Sequence, residues 1–303
     1  MPKVTAMVVS YNHERFISEC LASIEQQNFD DLEVICVDDG SSDASPKIAH
    51  EFDAMDVMVY EKPNGGPSDA FNYGIERASG DILMMISADD TMLPGSIAAR
   101  VNALEDPDVD IVCGLPTWIG ADSRDLPPSD YPDIFLPFEL SPEAMFQRLF
   151  FEGNFISAPT IAMRRAIHHE TGPFDQRFEQ LQDYDYWLRA AALGKKFFCI
   201  DRPLVGYRWH GGNLSTSNSE RSEAELSEVR KAALQHADQI FLSKVLYESE
   251  EMCLQAGLSH EEIASLLMIK HRSQILSNLG RQQLQKLLEN NERKEVLRNE
   301  FLI

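Results

Sequence analysis

An α/β fold is predicted, with helices on both faces of a mostly parallel sheet and a helical extension at the C-terminal end. Three observations carry this. Short apolar runs alternate with helical periodicity through about residue 115, the pattern of consecutive βαβ units. One run, Gly80 to Asp90 (GDILMMISADD), carries no charge from Ile82 to Ile86, as suits a strand buried on both faces. From about Ser215 the chain turns to Glu, Gln, Leu, Lys, Arg and Ala, with Leu226, Val229, Ala233, Ala237, Ile240 and Phe241 at helical spacing.

In chain order, Lys3 to Val9 reads as a short buried strand. Helical spacing follows at Phe16, Cys20, Leu21 and Ile24, with Asn12 available as a cap. Leu32 to Val37 is a second apolar run, closed by Asp38-Asp39-Gly40-Ser41-Ser42-Asp43. A helix to about Phe52 and a strand near Val57 to Tyr60 come next. Asn64-Gly65-Gly66-Pro67 then precedes a helix ending near Ala78, where Gly80 fits a C-terminal cap. After the Gly80–Asp90 stretch, Pro94 opens another helix and Asp110 to Cys113 forms a fifth run. Gly120 to Pro137 holds four of the fifteen prolines and reads as a crossing loop. Ser141-Pro142-Glu143 starts a helix with proline in its first turn. Asn154 to Met163 reads as a strand, Asp183 to Leu193 as a helix, and Lys196 to Tyr207 as one or two strands. Ser259 and Glu262 make a capping-box pattern for a later helix.

The 303 residues carry 49 acids against 27 bases, a formal net charge of −22. That balance argues against nucleic acid or an anionic membrane as main partner, since both need basic patches. A ligand bearing phosphates would have to recruit a metal or a few dedicated basic residues. Cys20, Cys36, Cys113, Cys199 and Cys253 are widely spaced and odd in number, which favours buried free thiols in a reducing compartment. With no signal-peptide layout and no membrane-length apolar run, the expected location is the cytoplasm. Docking at the inner face of the membrane is compatible with this reading.

The loops after the first four strands gather on one rim, where open α/β sheets bind ligands. Asp38 and Asp39 suit turn chemistry, but two acids facing Ser87-Ala88-Asp89-Asp90 across that rim favour a site. Asp39 is suited to accept from a nucleobase N–H, with Asp38 as support. Asp89 and Asp90 suit either a helix cap or a hard cation with oxygen ligands; Asp90 fits the cap more readily. Gly65 and Gly66 serve equally as a plain loop or as backbone donors to an anion. Asp69 and Asn72 lie one helical turn apart, so both are placed to face the rim. At the late helix, one of Asp183 and Asp185 is free to act while the other caps or pairs with Arg189. His13, His168 and His169 read as surface residues; Trp118 and Trp187 are able to stack on a sugar ring, with core packing the default.

Five segments, VVSYN (8–12), VDDGSSD (37–43), GGPSDAFNYGI (65–75), GDILMMISADD (80–90) and QDYDYWLRAAALGK (182–195), resemble family 2 glycosyltransferases in order and spacing. The resemblance covers roughly residues 1 to 212 and implies a GT-A type, Rossmann-like sheet. It also implies a nucleotide-diphosphate sugar donor, UDP by family habit. Residues 1–115 become the donor-binding half, 116–212 the acceptor and catalytic-base half, and 213–303 a helical extension outside the resemblance. Ser10, Tyr11 and Asp39 then contact the nucleoside, with Asn12, Asp69, Ser87 and Ala88 beside them in the same motifs. Asp89 matches the acid that holds a Mg²⁺ or Mn²⁺ ion on the diphosphate, and Asp183 matches the general base. Arg208 and His210 fall in a late segment that approaches the diphosphate, His210 also as a metal ligand. Two positions depart from the family pattern: Ser87 replaces the first acid of its DxD motif, and Gln182 replaces the acid before the base.

The implied activity is inverting, metal-assisted sugar transfer to a hydroxyl of a glycan or lipid-linked acceptor, as in polysaccharide biosynthesis. The rival from another class is a non-catalytic nucleotide-sugar binder whose tail is an interaction module, for which Asp183 would have no use. A nucleotidyltransferase would need a basic, Gly-rich loop that VSYNHERF lacks. The tail's apolar stripes suit packing on the catalytic domain, a homodimer, or a membrane-proximal complex; its acids disfavour a membrane surface.

Overall fold

The computed structural model describes residues 3–127, 134–213, 219–247 and 258–288. Its uncharged run becomes β4 (Ile82–Ser87), buried from Ile82 to Ile86, beside β1 (Val4–Ser10), which is buried throughout. β2 (Leu32–Asp38) and β3 (Met58–Glu61) extend the sheet from β1. These four strands are mutually parallel, in the order β3-β2-β1-β4. Gly80 admits the close approach of β4 to β1, for a Cβ there would lie 2.6 Å from the Thr5 nitrogen and Oγ1. It therefore does not cap the preceding helix, which ends at Ile75 with Glu76 at its C-cap.

Beyond β4 the sheet is mixed. β7 (Ala162–Arg164) runs antiparallel to β4 and to β6 (Ile111–Ile119). β8 (Phe197–Arg208) pairs in parallel with β6, and β5 (Thr91–Met92) closes the edge antiparallel to β8. The strand expected over Asn154 to Met163 is largely absent. Pro159, which has no N–H to give a ladder, sits in a 3₁₀ turn at Ala158–Thr160, and only Ala162–Arg164 pairs.

Helices α1 (Ile17–Glu25) and α4 (Ser96–Ala103) bury Ile17, Leu21, Ile24, Ile97 and Val101 in the core on one face of the sheet. Short α2 (Ser45–His50) lies on the same side, adding Ala49. Asn12 does not cap α1. It sits at φ 57° and accepts from the Ser42 amide (2.8 Å), tying the first rim loop to the second. Pro94 likewise precedes the start of α4, where Gly95 holds the N-cap at φ 71°. On the other face lie α3 (Pro67–Ile75), α5 (Pro142–Glu152), α6 (Arg165–Thr171) and α7 (Gln182–Ala192). Ser141 caps α5 as expected, its hydroxyl accepting from the Ala144 amide.

The tail joins this second core. α8 (Ser219–His236) contributes Val229 and Ala233, and α9 (Gln239–Tyr247) contributes Leu242. The helices His260–Lys270 and Gln274–Leu288 add Leu267 and Leu276. The Ser259–Glu262 capping box is formed. Gln147 donates to the Val245 carbonyl at 2.8 Å, and Glu225 accepts from the amides of Glu179, Gln180 and Leu181, each at 3.1 Å. A tail carboxylate thus fixes the turn that leads into α7. No helix among the described residues is long and apolar enough to cross a membrane. Cys20, Cys36, Cys113 and Cys199 are buried free thiols; Cys253 lies outside the described residues.

Candidate active site

Parallel register brings the ends of three strands together, with Ser10 opposite Asp38 and Val9 opposite Ser87. The loops leave this rim in contact, the Asp39 amide donating to the Ser10 carbonyl (2.8 Å) and the Ala88 amide to the Val9 carbonyl (2.9 Å). Ser10, Tyr11, Asn12, Asp39, Ser87 and Ala88 therefore share one edge. Tyr11 is 47% exposed there, whereas Ser10 is buried with its Oγ lacking a hydrogen-bond partner.

Asp39 is 3% exposed and occupied. It accepts from Lys62 Nζ (2.5 Å) and from the amides of Gly65 (3.0 Å) and Gly66 (2.8 Å). A carboxylate has about four acceptor positions, so one remains for a ligand. The glycine amides considered as anion donors are thus taken by a protein carboxylate. Lys62 also meets Asp69 at 2.5 Å, and Asp69 Oδ1 accepts from Gln176. Asn72 supports the opposite loop, bonding both backbone groups of Phe174.

Asp89 and Asp90 are 7% and 3% exposed. Asp89 Oδ2 accepts from His210 Nε2 at 3.1 Å, and His13 Nε2 lies 3.8 Å away. Burial raises the Asp89 carboxyl, but the His210 hydrogen bond and the nearby His13 outweigh it and hold it below its ordinary value. Asp90 is pushed well above its ordinary value by burial and by the Asp89 charge. It accepts from the Arg208 amide (2.8 Å), so it braces β8 and does not cap α4.

His13 is not a surface residue. Its side chain is 18% exposed, and burial lowers its imidazole despite the pull of Asp89. His168 is also buried, stacked on Tyr186, whereas His169 is exposed.

The Arg208 guanidinium is fully buried and committed. It donates to the Asp89 carbonyl (2.6 Å), the Gly120 carbonyl and Ser123 Oγ (both 2.8 Å), and Glu19 Oε2 (2.8 Å). Its expected approach to a diphosphate gives way to a positioning role: it holds the backbone of the metal-candidate acid. Arg208→Met should therefore cost about 2–4 kcal/mol of stability in urea unfolding, because buried carbonyls lose their donors. Unchanged stability with lost nucleotide binding would make Arg208 a ligand contact instead.

No group of three or more His, Cys, Asp or Glu suited to a metal occurs among the described residues. One feature does fit a hard cation: Asp89 Oδ1 is buried and has no hydrogen-bond partner. Oxygen-seeking ions commonly take one or two carboxylates and complete their shell with phosphate and water. His210 fits ligation less well. Its Nδ1 accepts from the Gly212 amide (3.0 Å), which makes Nε2 the protonated nitrogen that steadies Asp89.

Asp183 opens α7 from the opposite layer. Its Oδ2 accepts from Asn154 Nδ2 (3.0 Å) and its Oδ1 from the Tyr184 amide (2.7 Å). Burial nevertheless pushes the carboxyl up to about 6. Asp185, as expected, pairs with Arg189 at 2.7 Å. A cavity of about 370 Å³ is lined by Ser87, Asp89 and Asp90 from the sheet and by Gln182, Asp183 and Trp187 from α7. That volume is within the range of small-molecule sites. Trp118 packs against Tyr207 and Trp209 and stays in the core.

Sequence reasoning overlooked Lys62, Asn154, Glu19 and His13. Only Lys62 left a usable signal, as a lone base ahead of Pro63-Asn64-Gly65-Gly66 at the end of an acidic rim strand.

The profile of the family described as Glycosyl transferase family 2 matches residues 5–172. The putative glycosyltransferase EpsH of Bacillus subtilis is 30% identical over 215 residues, 69% of this chain and 61% of that protein. The match thus spans less than two thirds of that relative's length. An uncharacterized glycosyltransferase of Rickettsia typhi is 26% identical over 272 residues, covering 88% of this chain and 79% of the relative. Among solved structures, S. aureus TarS 1–349 in complex with UDP-GlcNAc superposes with a TM-score of 0.65 at 17% identity, covering 93% of this chain and 88% of that one. The mannosyltransferase PcManGT from Pyrobaculum calidifontis, in complex with GDP-Man and Mn²⁺, gives 0.55 at 17% identity, covering 97% and 88%. These structures share the GT-A fold seen here.

Proposed function

The chain belongs to glycosyl transferase family 2, and from that premise we propose that it transfers a sugar, with inversion, from a nucleotide-diphosphate sugar to a hydroxyl of a glycan or lipid-linked acceptor. The observation that carries this is one cavity lined by Asp89 from the sheet and by Asp183, a carboxyl raised to about 6, from α7. UDP is the nucleotide of first choice, in line with the UDP-GlcNAc complex of the TarS neighbour. The pathway class is assembly of a polysaccharide.

The nucleoside lies along the rim. Tyr11, exposed beside Asp39, offers a ring face to the base, and Asp39 keeps an acceptor position for its edge. Asn12, Asp69, Ser87 and Ala88 line the same edge toward the ribose. Asp89 Oδ1 would hold Mg²⁺ or Mn²⁺, as suggested by its lack of any other partner and by the Mn²⁺ in the PcManGT neighbour. Such an ion supplies neutralisation of the charge that develops on the leaving diphosphate. His210 and Arg208 act behind it, one orienting the carboxylate and the other its backbone.

Asp183 takes the proton of the attacking hydroxyl. A base is most effective with a pKa near the working pH, and burial moves Asp183 in that direction while leaving it ionised at neutral pH. Base and leaving-group support come from different layers of the fold, which suits a single displacement. Because the base must be ionised, kcat/KM should fall as pH drops through about 6 and level off above it. A profile flat from pH 5 to 7 would place the base elsewhere.

A further inference from the structure

Nine buried side-chain atoms among the described residues lack a hydrogen-bond partner, and four of them line the cavity just described: Asp89 Oδ1, Ser157 Oγ, Gln182 Oε1 and Trp187 Nε1. Buried polar atoms are nearly always paired, so this concentration marks where a ligand completes the structure. Asp89 Oδ1 suits the cation; the other three are neutral. Ser157 is 2% exposed and Trp187 is 0% exposed, so solvent does not satisfy them. All three line the same cavity as the base. Gln182 precedes Asp183, Trp187 follows it by one helical turn, and Ser157 lies three residues beyond Asn154, which holds the base.

The three atoms differ in kind. Indole N–H only donates, the amide oxygen only accepts, and a hydroxyl does both. Together they complement hydroxyl or acetamido groups, which also donate and accept. The lining holds no Lys, Arg or His among the described residues, and its acidic members are Asp89, Asp90 and Asp183. A sugar carboxylate beside Ser157, Gln182 and Trp187 would meet the Asp183 carboxylate and no basic side chain of the lining.

We propose that Ser157, Gln182 and Trp187 form the subsite for the ring of the transferred sugar and select a neutral hexose or N-acetylhexosamine over a hexuronic acid. This rests on the donor reading above, since the ring between diphosphate and acceptor hydroxyl is the donor's. Gln182 is central, because the family's acid at this position would add a further negative charge.

Calorimetric titration of the full chain with Mn²⁺ tests it, using UDP, UDP-glucose, UDP-N-acetylglucosamine and UDP-glucuronate. At least one neutral sugar nucleotide should bind about tenfold or more tighter than UDP-glucuronate. Ser157→Ala and Trp187→Phe should each weaken that neutral donor about three- to tenfold and leave UDP within about twofold. Ser157→Ala removes one oxygen, so folding is not at issue. Equal or tighter binding of UDP-glucuronate overturns the selection, and equal weakening of UDP and its sugars overturns the subsite. Failure of both UDP and GDP to bind the unmutated protein would remove the donor reading itself. Should GDP alone bind, GDP-mannose and GDP-mannuronate replace the UDP pair.

Discussion

Asp183→Asn should lower turnover by about 10²–10⁴-fold, the usual contribution of a general base, while the dissociation constant of the donor nucleotide stays within about twofold. The separation follows from the geometry. An amide has the size of the carboxylate, and its single oxygen still accepts from the Tyr184 amide. Its NH₂ meets the donor Asn154 Nδ2, so one of the two bonds that hold Asp183 is lost. What it also loses is the proton acceptor. The nucleotide loops end β1, β2 and β4, in a different layer from α7, so donor binding does not depend on that proton. Turnover is read as release of nucleoside diphosphate. A variant that keeps a tenth of the activity, or one that stops binding nucleotide, is incompatible with Asp183 as base.

The second large effect is expected at Asp89. In the unmutated protein, nucleotide diphosphate with Mn²⁺ at about a hundred times its dissociation constant should add roughly 2.7 kcal/mol. At about 2 °C per kcal/mol for a chain of this length, Tm should rise by roughly 5 °C. Asp89→Ala should abolish the metal-dependent part of that rise, because the carboxylate with the unpartnered Oδ1 is gone. The baseline stability of the variant also moves, since His210 loses its acceptor and His13 loses the carboxylate 3.8 Å from its Nε2. The informative quantity is therefore the shift with ligand, not Tm alone. A full metal-dependent shift in Asp89→Ala would place the ion on other residues.

Much of the frame was legible in the sequence because its signals are local. The uncharged run at 82–86 specifies a central strand by burial alone, and Asp183, Tyr184 and Trp187 declare a helix through their spacing. The acids after β2 and β4 could be placed on one rim because parallel strands align their C-terminal ends. What was misread depends on tertiary partners. Arg208 looked like a phosphate ligand because nothing in YRWHGG reveals that Glu19 and the Gly120 carbonyl, both far off in sequence, absorb its guanidinium. Gly65 and Gly66 suited a plain loop or an anion equally, and only the fold shows Asp39 taking their amides. His13 read as surface because its burial is set by its packing near Asp89 and His210. The segment 154–163 carries strand-like residues, and Pro159 decides against a ladder. The tail gave its helices through periodicity, but the anchoring of α7's leading turn by Glu225 is visible only in three dimensions.

The most direct test of the central claim, that Asp89 and Asp183 serve one donor cavity in separate roles, is a parallel calorimetric titration. Nucleotide diphosphates of uridine, guanosine and deoxythymidine are titrated with Mn²⁺ into the unmutated protein, Asp89→Ala and Asp183→Asn, and turnover is measured on the same samples. The account predicts binding of one nucleotide to the unmutated protein and to Asp183→Asn, weakened at least tenfold in Asp89→Ala, with turnover lost in both variants. Binding lost in Asp183→Asn but kept in Asp89→Ala would contradict it.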